Sequence, residues 1–163
     1  GGYGLPFAVV LFGPELDIWK PGEHNGTFRG NNFAFVTAKA AIDNYWADDT
    51  FSHEIKRKGL YVSERLEAIV EQYGEGKFTT CGRGMFQGIN CVNGEIAGKI
   101  TRNAFLQGLM IETSGADDQV VKFLCPLITS DASLKKGIDI VEKAIKEVCA
   151  EEGTIPKALE YFD

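Results

Sequence analysis

The sequence predicts an α/β chain in which one buried strand and a pair of helices precede a small α+β unit. An unbroken apolar segment near the start is typical of a strand that is covered on both faces. Later segments carry apolar side chains at the three-and-four spacing of helices, and short apolar runs between glycine-rich turns indicate a small sheet. The 163 residues are 44% hydrophobic and 25% charged, which fits a globular chain.

The elements follow in order from these patterns. Leu5 to Phe12 predicts the buried strand, and the glycine-rich segment from Gly13 to Gly30 predicts a long loop of the kind that is usually functional. Asn31 and Asn32 can cap a helix over residues 32–46 whose small face would bring it close to a neighbour. That face contains Ala34, Ala38 and Ala41.

The second half alternates between strands and helices. A long helix should follow Asp48-Asp49-Thr50, with the charges of Lys56-Arg57-Lys58 on a solvated face. We expect β-structure over 78–90, a helix over 95–107 that ends at Gly108, and short strands over 109–113 and 120–125. A last helix should begin at Ser130-Asp131.

Composition excludes several functions. A net charge of −6 and no evident basic patch argue against nucleic acid as a partner. The longest apolar run, Phe7 to Phe12, is too short to cross a membrane. Four separated cysteines and two histidines predict reduced thiols in a cytoplasmic protein, with no metal site.

Two glycine-rich segments are candidates for phosphate binding. The first, Gly82 to Gly88, has the spacing G-x-G-x-x-x-G, one residue too long for a dinucleotide fingerprint, so close backbone packing explains it better. The second, Gly22 to Asn31, combines a hydroxyl at Thr27 with a helix start, which suits either a phosphate cradle or a simple capped loop. His24 fits a hydrogen-bonded loop residue, and His53 fits an exposed helix position.

The segment His24 to Asn31 resembles the H-x-x-T-F-x-G-N signature of class III (ω-amino-acid) aminotransferases, which are fold type I pyridoxal-phosphate enzymes. The wider string from Leu16 to Asn32 is similar to the branch of diaminobutyrate–2-oxoglutarate aminotransferases of ectoine biosynthesis. The strings Gly1 to Pro6 and Ile111 to Asp118 support the same resemblance. It implies that residues 1–48 end a large cofactor domain and that 49–163 form the small C-terminal α+β domain.

The resemblance also implies a cofactor site. Thr27 would bind the phosphate of pyridoxal 5'-phosphate, with Gly26 and Phe28 beside it, in the active site of a neighbouring subunit. A homodimer or larger assembly is therefore expected. The Schiff-base lysine of the family should lie just upstream of the Gly1-Gly2 turn, so we expect a C-terminal fragment that is inactive alone and contains no catalytic residue.

Lys122 stands where many members of this family carry an arginine that binds a substrate carboxylate. A lysine attracts a carboxylate but cannot form the two-pronged contact of arginine, so a partly exposed strand lysine is an equally good interpretation.

The implied reaction exchanges an amino group between glutamate/2-oxoglutarate and aspartate semialdehyde/diaminobutyrate. Two alternatives remain open: another ω-amino-acid aminotransferase of the ornithine or acetylornithine type, and a non-catalytic interaction module.

Overall fold

The computed structural model describes residues 4–27 and 29–151. The chain divides into two units, the first ending at Ser52 and the second beginning at His53. The strand predicted at Leu5–Phe12 is wrong, because beyond a single bridge residue at Leu5 the segment has no regular structure and Leu11 is 90% exposed. A strand of this apolar type needs neighbours and covered faces, and the described part of the first unit contains no strand that could pair along it.

The helix of the first unit is confirmed. Helix α1 (Asn32–Tyr45) begins where the Asn31 side chain accepts a hydrogen bond from the Ala34 N–H at 3.3 Å. Its buried residues are the three predicted alanines: Ala34, Ala38 and Ala41. The loop before it is also confirmed, with one short 3-10 turn at Pro14–Leu16.

Helix α2 (Thr50–Tyr73) runs across the boundary between the units, and the Asp48 carboxylate accepts a hydrogen bond from the Thr50 N–H at its start. The predicted apolar stripe is its buried face, which includes Gly59, Val62, Leu66 and Ile69.

The β-structure over 78–90 is a hairpin of β1 (Thr79–Arg83) and β2 (Phe86–Asn90). Its turn contains Gly84, whose φ of 59° lies in the left-handed region that glycine adopts without strain. A Cβ on Gly88 would lie only 2.6 Å from Val120 Cγ1, which confirms that close packing accounts for a glycine of this segment.

Helix α3 (Gly94–Leu106) starts at the Asn93 cap, and its C-cap is Gln107, one residue before the predicted Gly108. Gly108 follows with a φ of 87°, the left-handed conformation that terminates helices. Strand β3 (Glu112–Ser114) is shorter than expected and begins later, whereas β4 (Val120–Leu124) lies where it was predicted. The four strands form an antiparallel sheet in the order β1-β2-β4-β3.

Helix α4 (Asp131–Glu151) completes the second unit, as expected. One core joins α2, β2, α3, β4 and α4, and its fully buried side chains include Leu66, Ile89, Ile100, Val121, Ile138 and Ile145. Burial of these apolar side chains is the main stabilising contribution to the unit.

Lys56 and Arg57 of the predicted charge run are exposed, as predicted, and Lys58 is half-buried. Arg57 and Lys58 also contact α4 and the loop before it, which was not predicted. Arg57 Nη2 lies 2.8 Å from an oxygen of Asp131 and also binds Glu54, which lowers the pKa of both carboxyl groups. Lys58 Nζ donates to the Thr129 carbonyl at 2.8 Å. A contact across more than 70 residues cannot be read from helical spacing.

The four cysteines are free thiols, as predicted. Within residues 4–27 and 29–151, no group of histidine, cysteine and acidic side chains is arranged to hold a metal ion. No helix among those same residues has the length and apolar character needed to span a membrane.

Candidate functional site

The loop that carries the Thr27 signature is held by aromatic and polar contacts of its own. The Trp19 ring makes edge-to-face contacts with Phe12 on one side and with His24 on the other, at centroid distances of 5.4 Å and 5.0 Å. The Glu23 carboxylate accepts a hydrogen bond from the Lys20 N–H at 2.7 Å. Edge-to-face pairs of this kind add stabilisation beyond simple burial, so a long loop without regular structure can keep a defined path.

Thr27 occupies a tight turn within this loop. The Arg29 N–H donates to the Gly26 carbonyl at 3.1 Å and closes a turn that contains Thr27. The Arg29 guanidinium reaches back to His24, where it contacts both ring Nδ1, at 2.5 Å, and the backbone carbonyl. His24 is therefore a hydrogen-bonded loop residue, as predicted.

The residues present fit a phosphate group. Thr27 is exposed, and its hydroxyl makes no hydrogen bond to any residue that the structure describes, so it is free to donate. Helix α1 begins at Asn32, five residues after Thr27, and the unpaired N–H groups of a helix N-terminus favour an anion. Phe28, the third predicted cofactor residue, lies outside the described residues.

Lys122, the predicted substrate residue, lies on β4 in the second unit. It stands directly across from Glu112 of β3, and Nζ lies 2.7 Å from the carboxylate. The Lys122 side chain is 19% exposed, whereas that of Glu112 is 74% exposed. The half-buried amine thus already has a counterion, with which a substrate carboxylate would compete.

A cavity of about 540 Å³ adjoins this ion pair. Its walls are mostly apolar and come from β3, β4 and the start of α4; they include Met110, Ile111, Leu124, Cys125, Leu134 and Ile138. Lys122 and Glu112 supply the charged groups of the lining, so the amine meets an apolar space as well as its carboxylate partner.

Thr27 and Lys122 belong to different units. Arg29 was not singled out from the sequence. The sequence shows an arginine two positions after Thr27, but its contact with His24 depends on the path of the loop, which the sequence does not give. His53 is exposed, as expected.

Sequence comparison identifies the family of the chain. The family described as "Aminotransferase class-III" matches residues 1–145. A diaminobutyrate–2-oxoglutarate transaminase of Vibrio parahaemolyticus is 50% identical over 150 residues, which are 92% of this chain and 36% of that protein. The transaminase of the same name from Halomonas elongata is 53% identical over 148 residues, 90% of this chain and 35% of that protein. The chain thus spans about a third of the length of these curated relatives.

Solved structures support the fold. Lysine aminotransferase from M. tuberculosis superposes with a TM-score of 0.70 at 23% identity, covering 78% of this chain and 29% of that one. Acetylornithine aminotransferase from Elizabethkingia anophelis gives 0.67 at 25% identity, covering 80% of this chain and 34% of that one. The predicted fold type and cofactor class are confirmed: the chain belongs to the class III aminotransferases, a family of pyridoxal-phosphate-dependent enzymes.

Proposed function

We propose that this chain is part of a cytoplasmic aminotransferase that exchanges an amino group between L-glutamate/2-oxoglutarate and L-aspartate 4-semialdehyde/L-2,4-diaminobutyrate. The observation that carries this proposal is the 50% and 53% identity to two transaminases named for diaminobutyrate and 2-oxoglutarate. The looser likeness to lysine and acetylornithine enzymes, at 23% and 25% identity, supports the fold more than it supports a substrate.

Thr27 and Gly26 would hold the cofactor phosphate, with Phe28 adjoining them in sequence. An exposed hydroxyl without a partner among the described residues can donate to a phosphate oxygen without first breaking a bond. When bound, pyridoxal phosphate supplies the electron sink on which amino-group transfer depends. By the family resemblance, Thr27 serves the site of a neighbouring subunit, so the active protein would be a homodimer or larger.

Lys122 would attract a substrate carboxylate by charge. The apolar lining of the adjoining cavity strengthens this attraction, because interactions between charges increase where water is excluded. Glu112 opposes it by neutralising the amine at 2.7 Å. The pair would hold the amine in place when no substrate is bound and would have to open for a carboxylate to bind.

The substrate assignment is tested with the full-length enzyme, loaded with cofactor and assayed with 2-oxoglutarate as acceptor. We expect kcat/KM for diaminobutyrate to exceed the values for ornithine, N-acetylornithine and lysine by about tenfold or more, a difference of about 1.4 kcal/mol in transition-state binding. Preference for ornithine would replace the proposal by the ornithine-type alternative. Absence of transfer with every donor would favour a non-catalytic module.

The role of Lys122 has a separate test. Lys122→Met should raise KM for 2-oxoglutarate, whereas Glu112→Gln, which frees the amine, should lower it. If neither substitution changes KM, the ion pair is a cross-strand contact without a role in substrate binding.

A further inference from the structure

We propose that Arg29 is a positioning residue for the cofactor phosphate, acting by locking the Thr27 turn to His24. The inference rests on the proposed role of Thr27 and adds to it a mechanism that the signature motif does not contain. Arg29 itself is not required to touch the cofactor.

The contacts of Arg29 enclose Thr27 from both sides. Its N–H binds the Gly26 carbonyl at 3.1 Å, immediately before Thr27, and its guanidinium returns to His24, three residues before Thr27. The stem of the arginine packs over Gly26, where an added Cβ would lie 3.3 Å from Arg29 Cγ. Thr27 therefore lies in a segment whose two ends are joined by one residue, which restricts the backbone that carries its hydroxyl.

His24, the residue that the guanidinium contacts, is itself held in place. The His24 ring lies against the edge of Trp19 at a centroid distance of 5.0 Å, and Trp19 in turn contacts Phe12. The guanidinium has only donors, so ring Nδ1 of His24 is the acceptor in this contact. A mobile histidine could not position the turn, whereas a ring held against an indole can.

Arg29 is available for this task because it forms no ion pair with any residue that the structure describes. In the described ranges, Arg57 and Arg65 bind carboxylates of neighbouring helices, whereas the guanidinium of Arg29 contacts only His24. A carboxylate partner would compete with His24 and would place negative charge beside the phosphate.

The test compares two ligands of the full-length apoenzyme, pyridoxal 5'-phosphate and pyridoxal. Both carry the same aldehyde, so the ratio of their dissociation constants reports on the phosphate alone. We expect Thr27→Val and Arg29→Met each to weaken phosphate-dependent binding by roughly tenfold, the size of one lost hydrogen bond to a charged group, with the affinity for pyridoxal unchanged. In the double variant the loss should be no greater than in Thr27→Val, because Arg29 acts only through Thr27.

Matched changes at His24 separate the hydrogen bond from the ring contact. His24→Asn keeps an acceptor near the position of Nδ1 and should retain most of the phosphate-dependent binding. His24→Phe keeps the contact with Trp19 but leaves the guanidinium only the backbone carbonyl of residue 24, so it should lose part of the phosphate-dependent binding that Arg29→Met loses. Arg29→Lys keeps the positive charge but lacks the planar guanidinium, so it should restore little of the phosphate-dependent binding.

Distinct results would overturn the inference. Additive losses in the double variant would mean that Arg29 contacts the phosphate directly, and full recovery in Arg29→Lys would mean that charge alone matters. If Arg29→Met weakened the binding of both ligands equally, or if His24→Phe left phosphate-dependent binding unchanged, the contact between Arg29 and His24 would only stabilise the loop. If Thr27→Val itself leaves the ratio unchanged, the proposed role of Thr27 fails, whatever Arg29 does.

Discussion

The crossing of α2 over the hairpin turn allows a sharp prediction about Gly59. A Cβ at this position would lie 2.8 Å from Gly84 Cα and 2.9 Å from Gly84 C, both of them backbone atoms. Ordinary carbon contacts begin at about 3.5 Å, so Gly59→Ala would force α2 and the turn apart by roughly 0.7 Å. Because a backbone cannot rotate away as a side chain can, the two elements must move as bodies.

That movement would also affect Gln87, whose buried side-chain amide donates to the carbonyls of Gly59, at 2.8 Å, and Gly84, at 2.6 Å. Overpacking costs about 1–3 kcal/mol and each weakened hydrogen bond up to about 1 kcal/mol. The better helix propensity of alanine returns about 1 kcal/mol. We therefore expect Gly59→Ala to lower the free energy of unfolding by about 2 kcal/mol, the middle of the range of about 0–4 kcal/mol that these contributions span.

Gly98 in α3 is the matched control. It is also a helical glycine, but an added Cβ would meet no atom within 4 Å. Gly98→Ala should therefore raise the free energy of unfolding by up to about 1 kcal/mol. Urea unfolding followed by far-UV circular dichroism measures both variants against the parent protein. If Gly59→Ala were as stable as Gly98→Ala, the close approach of α2 to the hairpin turn would be refuted.

Three further outcomes are expected. Lys135 and Arg65 hold the pKa of Asp139 below its usual value. The ionised Asp139 therefore stabilises the folded state above about pH 4, and this contribution is lost as the pH falls through the lower pKa of the folded state. Asp139→Asn should thus unfold at a lower urea concentration than the parent protein at pH 7, and the difference between the two midpoints should disappear in acid. A difference that does not depend on pH would contradict this. Burial raises the pKa of Cys91 to about 12, whereas Cys81 is exposed, so iodoacetamide at pH 8 should label Cys81 and spare Cys91 in peptide mass spectra; equal labelling would argue against burial. Sodium borohydride should not fix pyridoxal phosphate stoichiometrically onto the isolated 163-residue chain, because Lys20, Lys39, Lys77 and Lys99 do not lie in the family's lysine context. Recovery of a peptide that carries the reduced cofactor on one of these four lysines would contradict that prediction.

The helices were predictable because each has a local cause. Asn31 and Gly108 mark a helix start and a helix end by their own chemistry, and the stripe from Val62 to Ile69 repeats at the helical period. The segment Leu5–Phe12 failed for the opposite reason. Its apolar composition is that of a central strand, but a strand exists only where another strand pairs with it, and composition cannot supply the partner.

The site divides in the same way. Thr27 was identified by a motif, and its place in a turn follows from the neighbouring glycine. The reach of Arg29 to His24 and the ion pair of Lys122 with Glu112 depend on how distant atoms meet, and the sequence alone does not contain those distances. Family resemblance predicts which residue types stand at a site, but not which of them already have partners.

The short outer strands of the sheet bear on how the protein behaves at high concentration. Exposed strand edges are templates on which other chains can add and aggregate. Strand β3 is three residues long and ends before Gly115, so it offers few free backbone groups. Strand β1, at the other edge, contains Gly82 at a φ of 89°, which breaks the regular extended path that an added strand would follow. Both outer strands of the sheet, within the part of the chain that the structure describes, are therefore poor templates for an added strand.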